Sequence, residues 1–371
     1  MNATSENRLA FLDSLRGIAA AWVVLYHMIY IPVPNLDVPA WAMPWASIGG
    51  IGVTLFFMVS AFSLCYTMPF HQRELNPLRS FYIRRFFRIA PLFYVLLAFT
   101  LLRDKFVYGS VHDSATIAES VLFLFNLIPN KQAGIVWASW TVGVEMVFYL
   151  FFPLLYLWAK DAFRACIFVL IALALAIAFK FSFAYDSAAT ANFFQMSVLR
   201  HLPIFALGIA VFRFYEQFGR RKDVLLHLAL LVIILSLFWA SAIALDTSFG
   251  DAYYFQGPWF AALLLGLAFF PLYLIVNKAT MFLGKLSYSL YLIHPPLILF
   301  MIPIYRQVYA WPLPLSLKYV AAVAMTFAAL VSLSYMSYRF IEAPGIRVGK
   351  RIARDRRPSP ALVAAQSDIR N

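Results

Sequence analysis

Short polar breaks divide this chain into eleven apolar runs, near 10–31, 48–68, 88–102, 117–128, 138–158, 163–181, 196–214, 224–245, 258–276, 283–303 and 317–341. An α-helix needs about 20 apolar residues to cross a hydrocarbon core of about 30 Å. Backbone polar groups in lipid must be satisfied within the segment, which a helix does on its own. The pattern therefore predicts an all-α, polytopic membrane protein. Composition agrees, with 63% hydrophobic and only 13% charged residues, against roughly 25% charged in soluble domains. So few charges cannot cover a water-facing surface.

The fourth run, 117–128, has 12 residues and suits a short re-entrant or interfacial segment rather than a span. The other ten runs are read as transmembrane helices, the third beginning within the arginine cluster that precedes it. This arrangement puts 21 Lys and Arg in the inner segments and 4 in the outer loops. Counting the fourth run as a span would place Arg213, Arg220, Arg221, Lys222 and the basic tail outside, against the positive-inside rule. Both termini are thus expected in the cytoplasm. The first run reads as an uncleaved signal anchor, longer than a typical h-region and followed by no clear small-residue cleavage site. Residues 1–344 form the expected membrane domain and 345–371 a basic cytoplasmic tail, disordered beyond its first turn or two.

The net charge of +13 does not point to nucleic acid, because the cations sit in short loops between apolar runs. Cys65 and Cys166 lie inside apolar runs, with no disulfide framework and no metal-ligand spacing. No internal repeat is evident, so a repeat-built transporter gains no support.

Ionisable residues within spans are costly and read as functional by default. Arg16 and His27 are eleven positions apart in the first run, which puts them on one helix face about 16 Å apart along the axis. Glu145 is the only acidic residue well inside an apolar run. It lies at a depth similar to His27, and the simplest expected partner for each is the other. A carboxylate would fix the imidazole tautomer and suit it to general-base work. Arg84, Arg85 and Arg88 share a broad helix face, either as a topology anchor on anionic lipid or as a cradle for phosphates. Lys285 and Tyr288 open the ninth span on the same side, with Tyr291 three residues further on. His294 precedes Pro295 and Pro296, which are expected to interrupt the helix, and is read as structural. Glu342 returns a carboxylate to the inner rim, where Arg16 or Arg339 is its expected partner. Ser60 is read as a helix–helix hydrogen-bonding residue.

Taken together and in order, these stretches resemble acyltransferase family 3, the integral-membrane O-acyltransferases of surface polysaccharides and related glycans. The resemblance covers most of the chain, to about Pro344. It rests on Arg16 and His27 with ten residues between, on Arg84-Arg85-Phe86-Phe87-Arg88-Ile89-Ala90-Pro91, on Trp140 to Tyr149, and on Ser287 to Pro296. Thr54 stands where the family often has Asp, which removes any acid role there, and Thr141 and Ala61 stand for Ser and Gly. Some relatives carry a C-terminal esterase-like domain. None follows here, so transfer is expected from the membrane domain itself or a separate partner.

The resemblance implies acyl-CoA as donor, with acetyl the expected group, and a carbohydrate or glycan acceptor. The cofactor's phosphates would sit on Arg16, Arg84, Arg85, Arg88, Lys285 and Tyr288, with no metal. His27 and Glu145 would act catalytically at the outer end, by direct base catalysis or through a transient acyl-histidine. The competing reading is a transporter or glycan-export component that uses His27 and Glu145 as a proton relay.

Overall fold

The computed structural model describes residues 9–182, 188–218 and 252–354, and among these the regular structure is entirely helical. The long helices are α1 (Ala10–Tyr30), α2 (Gly52–Gln72) and α3 (Pro77–Val107). Between α3 and the next span lies the short α4 (Ser114–Val121). Then come α5 (Trp140–Trp158), α6 (Ala162–Ser182), the short α7 (Ala188–Met196) and α8 (Val198–Phe218). The described chain resumes with α9 (Ala252–Phe269), α10 (Lys278–Tyr309) and α11 (Leu315–Ser337), and closes with α12 (Ala343–Ala353).

Seven helical stretches, containing α2, α3, α5, α6, α8, α10 and α11, are long and apolar enough to cross a membrane. α1 is long enough, but Asp13, Arg16 and His27 dilute its apolarity. α9 covers only the first part of the expected 258–276 run, its apolar stretch Gln256–Phe269 being shorter than these seven, and the expected span at 224–245 lies outside the described residues. The 117–128 run forms the eight-residue α4 and a three-residue turn, Phe125–Leu127, too short to cross. Asp113 caps α4, its carboxylate accepting from the Thr116 backbone N–H at 2.9 Å. α3 starts at Pro77, ahead of the arginines, where the missing N–H of proline costs nothing.

α2 is the most enclosed of the long helices, whereas α6 and α11 leave most of their surface outward. That outward surface is apolar, with Phe163, Leu170 and Leu175 exposed on α6, as lipid contact requires. α1 and α10 are parallel neighbours. Thr280 donates to the Ser14 hydroxyl at 3.0 Å near their first turns. Above it, Gly17 faces the α10 backbone at Thr280 and Gly284, and Gly284 faces Asp13. A Cβ at either glycine would collide with backbone, so the pair lets two helices meet at main-chain distance. This crossing sets the site, because each glycine lies ten residues before a histidine. A rise of about 15 Å along each helix carries both imidazoles to one level.

Two expectations are corrected, and a third is made specific. α10 is not interrupted at Pro295 and Pro296 but runs through them to Tyr309. Pro295 lacks the N–H that would bond the Tyr291 carbonyl, yet the helix continues past it. The tail, expected to be disordered beyond its first turn or two, begins as α12, whose Gly345 and Gly349 pack on Phe87 and Pro91 of α3; the tail from 355 lies outside the described residues. Glu342 pairs with neither Arg16 nor Arg339. A π-turn over Tyr338–Glu342 inserts an extra residue before α12 and turns this buried carboxylate inward, where the Ser289 hydroxyl donates to it.

Candidate functional site

Among the described residues, two neighbouring cavities share Arg85 and Arg88 in their walls. The vestibule, at the arginine-rich end, has about 740 Å³ of empty space. Arg84 and Glu74 form an ion pair on its wall, and Lys350 of α12 completes it on the opposite side. The inner chamber has about 680 Å³. It takes Arg16 from α1, Ser60 from α2, Arg85 and Arg88 from α3, Glu145 and Tyr149 from α5, and Tyr288 and Tyr291 from α10. Most of these helices are brought together by small-residue contacts, and their polar side chains point into the gap that remains.

Each guanidinium in the chamber is held differently. Arg16 donates to the Ser63 hydroxyl at 2.6 Å and lies 3.5 Å from Asp13. Arg85 donates to the Thr67 hydroxyl at 3.1 Å and stacks over the Tyr149 ring at 5.8 Å. Tyr149 in turn shares a 3.1 Å hydrogen bond with Ser60, the helix–helix bond expected of that serine. Among the described residues Arg88 makes neither a hydrogen bond nor an ion pair. The Tyr288 hydroxyl donates to the Ile89 carbonyl at 2.8 Å. Three cations around one carboxylate give the chamber a positive field suited to an anion.

Glu145 lies within electrostatic range of Arg85, Tyr149 and Tyr288. His27 is at the other end of the same axis, and the expected His27–Glu145 pair is not formed. Instead His27 Nδ1 lies 3.1 Å from His294 Nε2 and 3.0 Å from the Val23 carbonyl. The two rings are 4.8 Å apart. His294 is fully buried, while His27 is partly exposed. Equal glycine-to-histidine spacings on parallel helices bring these rings together, whereas Glu145 belongs to a helix that meets the bundle at the chamber. Tyr291 connects the two regions, since it lines the chamber and its ring is 5.6 Å from that of His294.

Lys285 is not with the arginines. Its ammonium rests 4.9 Å over the Tyr338 ring, outside both cavity walls. Arg84 faces the vestibule rather than the chamber. Thr54 donates to Gln256 at 3.4 Å. His201 is buried, with Nε2 3.0 Å from the Gln195 carbonyl and its ring against Trp140 and Phe57, a packing role. Sequence reasoning missed Lys350, which sits in a stretch read as tail. It also did not place His294 beside His27, although the histidine–proline–proline run was the available signal. Among the described residues no group of three or more His, Cys, Asp or Glu is placed to hold a metal.

A family model described as an acyltransferase domain, that of acyltransferase family 3, matches residues 9–335. The chain is 24% identical over 375 aligned positions to the O-acetyltransferase OatA of Staphylococcus aureus strain NCTC 8325, covering 92% of this chain and 57% of OatA. It is 30% identical over 158 positions to the acyltransferase MdmB of Streptomyces mycarofaciens, covering 40% of this chain and 39% of MdmB. The chain thus spans a little over half the length of OatA. No solved structure matches it.

Proposed function

Since the chain belongs to acyltransferase family 3, we propose that it moves an acyl group, acetyl in the first instance, from cytoplasmic acyl-CoA to a hydroxyl of a carbohydrate or glycan on the far side of the membrane. The observation that carries this reading is the continuous line of polar groups from a cationic vestibule, through a cationic chamber, to an accessible imidazole. A donor with phosphates at one end and a thioester at the end of a long arm matches that line. Lipid-facing helices and the excess of inner cations support a multi-pass protein of the bacterial inner membrane with the arginine end cytoplasmic.

In this reading the vestibule and the shared Arg85 and Arg88 hold the phosphates by charge-assisted hydrogen bonds. Arg16 and Tyr288 line the path of the pantetheine arm. At the far end His27 accepts the proton of the acceptor hydroxyl as its oxygen attacks the thioester carbon. The carbon–sulfur bond breaks, and the same proton passes from His27 to the leaving thiolate, so the products are an ester and free CoA. Glu145 is kept in the site as the chamber's carboxylate. It moderates the repulsion among three guanidinium groups when the donor is absent.

Calorimetric titration of the purified protein in detergent with acetyl-CoA tests the donor assignment. Saturable binding is expected, and the Arg85→Ala plus Arg88→Ala variant is expected to weaken it at least about a hundredfold, since a hydrogen bond to a charged group contributes about 1.5–3 kcal/mol. Absence of binding to the wild type would favour a transporter, which has no use for acyl-CoA. Proton NMR of surface glycan O-acetyl groups, with and without the protein, tests the acceptor class.

A further inference from the structure

We infer that His294 is a positioning residue for His27: it presets which nitrogen of the reacting imidazole carries the proton and takes up the hydrogen bond of the imidazolium that forms. The inference rests on the base role proposed for His27.

The proton positions follow from acceptors that cannot donate. His294 Nδ1 is 3.3 Å from the Leu290 carbonyl. A ring nitrogen facing carbonyl oxygens must carry the hydrogen. In the neutral ring His294 Nε2 then holds a lone pair. On the other side, His27 Nδ1 faces both the Val23 carbonyl at 3.0 Å and that lone pair at 3.1 Å. Both are acceptors, so His27 Nδ1 carries a hydrogen shared between them. The opposite assignment would set lone pair against lone pair at Val23 and at Leu290 together. One neutral arrangement therefore satisfies every contact, and it leaves His27 Nε2 bare.

Bare Nε2 is the form a general base needs. When Nε2 takes the hydroxyl proton, His27 becomes a cation whose Nδ1–H still points at His294 Nε2. A neutral imidazole, fully buried and itself anchored by backbone, supplies that acceptor without reorganisation. The same job is done by a carboxylate in many hydrolytic sites. Among the described residues no carboxylate reaches His27, and His294 of α10 takes its place.

The test uses full-length protein in detergent, with acetyl-CoA as donor, chitotetraose as acceptor probe and thiol release as readout. Variants are His294→Gln, which keeps an acceptor and a donor, His294→Leu, which keeps neither, and His27→Ala as reference. His294→Leu is expected to lower kcat about a hundredfold with the KM for acetyl-CoA unchanged, and His294→Gln to recover at least about tenfold of that. In ¹⁵N-histidine-labelled wild type, a coupling across the hydrogen bond from His27 Nδ1 to His294 Nε2 is expected, with His27 Nε2 unprotonated. Wild-type kcat in His294→Leu overturns the inference, as does equal loss in both variants accompanied by equal loss of thermal stability, which marks a packing role. A proton on His27 Nε2 in the wild type overturns it regardless of activity. Should His27→Ala also release thiol at the wild-type rate, the base role itself falls. Should His27→Ala be inactive while His294→Leu is not, only the positioning role falls.

Discussion

The two ends of the bundle are built on opposite plans. At the arginine end charged side chains of α1, α3, α5 and α12 line the two cavities. At the histidine end the polar groups are few, enclosed and bonded to one another or to backbone. A wide, cationic region suits binding of a large anion by many partial contacts. A narrow region with one accessible nitrogen suits a single proton transfer. The difference teaches that binding and chemistry are separable here, so substitutions at one end should move one kinetic constant and not the other. The sharpest break of this comparison is His27→Ala. It is expected to lower kcat about 10²- to 10⁴-fold, the range of a lost general base, while acetyl-CoA affinity by calorimetry stays within about twofold. A parallel loss of affinity would show that the two ends are one site.

Glu145→Gln comes next in size and tests where the carboxylate belongs. A partner of His27 would, on removal, cost nearly as much as His27 itself. A chamber carboxylate behaves otherwise. Removing its negative charge relieves repulsion toward the donor's phosphates, so acetyl-CoA binding is expected to tighten about two- to tenfold at screened distances of this kind. kcat is expected to fall by far less than in His27→Ala. Tighter binding at low salt that fades at high salt would confirm the electrostatic origin.

Much of the fold could be read from the chain. The apolar runs located nearly all of the described long helices, and the short 117–128 run was marked by length alone. Arg16 was found because charge within an apolar run is costly, Arg84, Arg85 and Arg88 because they share one helix face, and Tyr288 by its spacing from Lys285. Sequence failed where the answer depended on which helices touch. His27 and Glu145 lie at similar depths, but depth does not select neighbours; the Gly17–Gly284 crossing does, and it brings in His294 instead. α12 escaped notice because its apolar face is thin and its composition basic, so that only packing against Phe87 and Pro91 reveals it as structure. Lys285 was misplaced for the reverse reason. Its position along the axis was right, and its direction around the helix was not.

That last contrast gives the finest comparison, between two exposed lysines at the same end. Lys350 lines the vestibule from α12, and Lys285 lies over Tyr338, away from both cavities. Net charge changes equally when either becomes alanine, so any long-range effect of charge on an anionic donor is common to both and is weakened by salt. What differs is reach. An exposed ammonium that touches a phosphate contributes a fraction of a kcal/mol to about 1 kcal/mol, so Lys350→Ala is expected to weaken acetyl-CoA binding about two- to fivefold. Lys285→Ala is expected to leave it within the calorimetric error at 0.15 M salt, and to lower thermal stability slightly through loss of the cation–π contact, about 0.5–1 kcal/mol at such a site. If the two variants weaken binding equally, the donor feels only the summed charge of this end, and the vestibule loses its standing as a shaped site. If Lys285→Ala is the weaker binder, the donor enters along the Tyr338 face and the path through α12 is wrong.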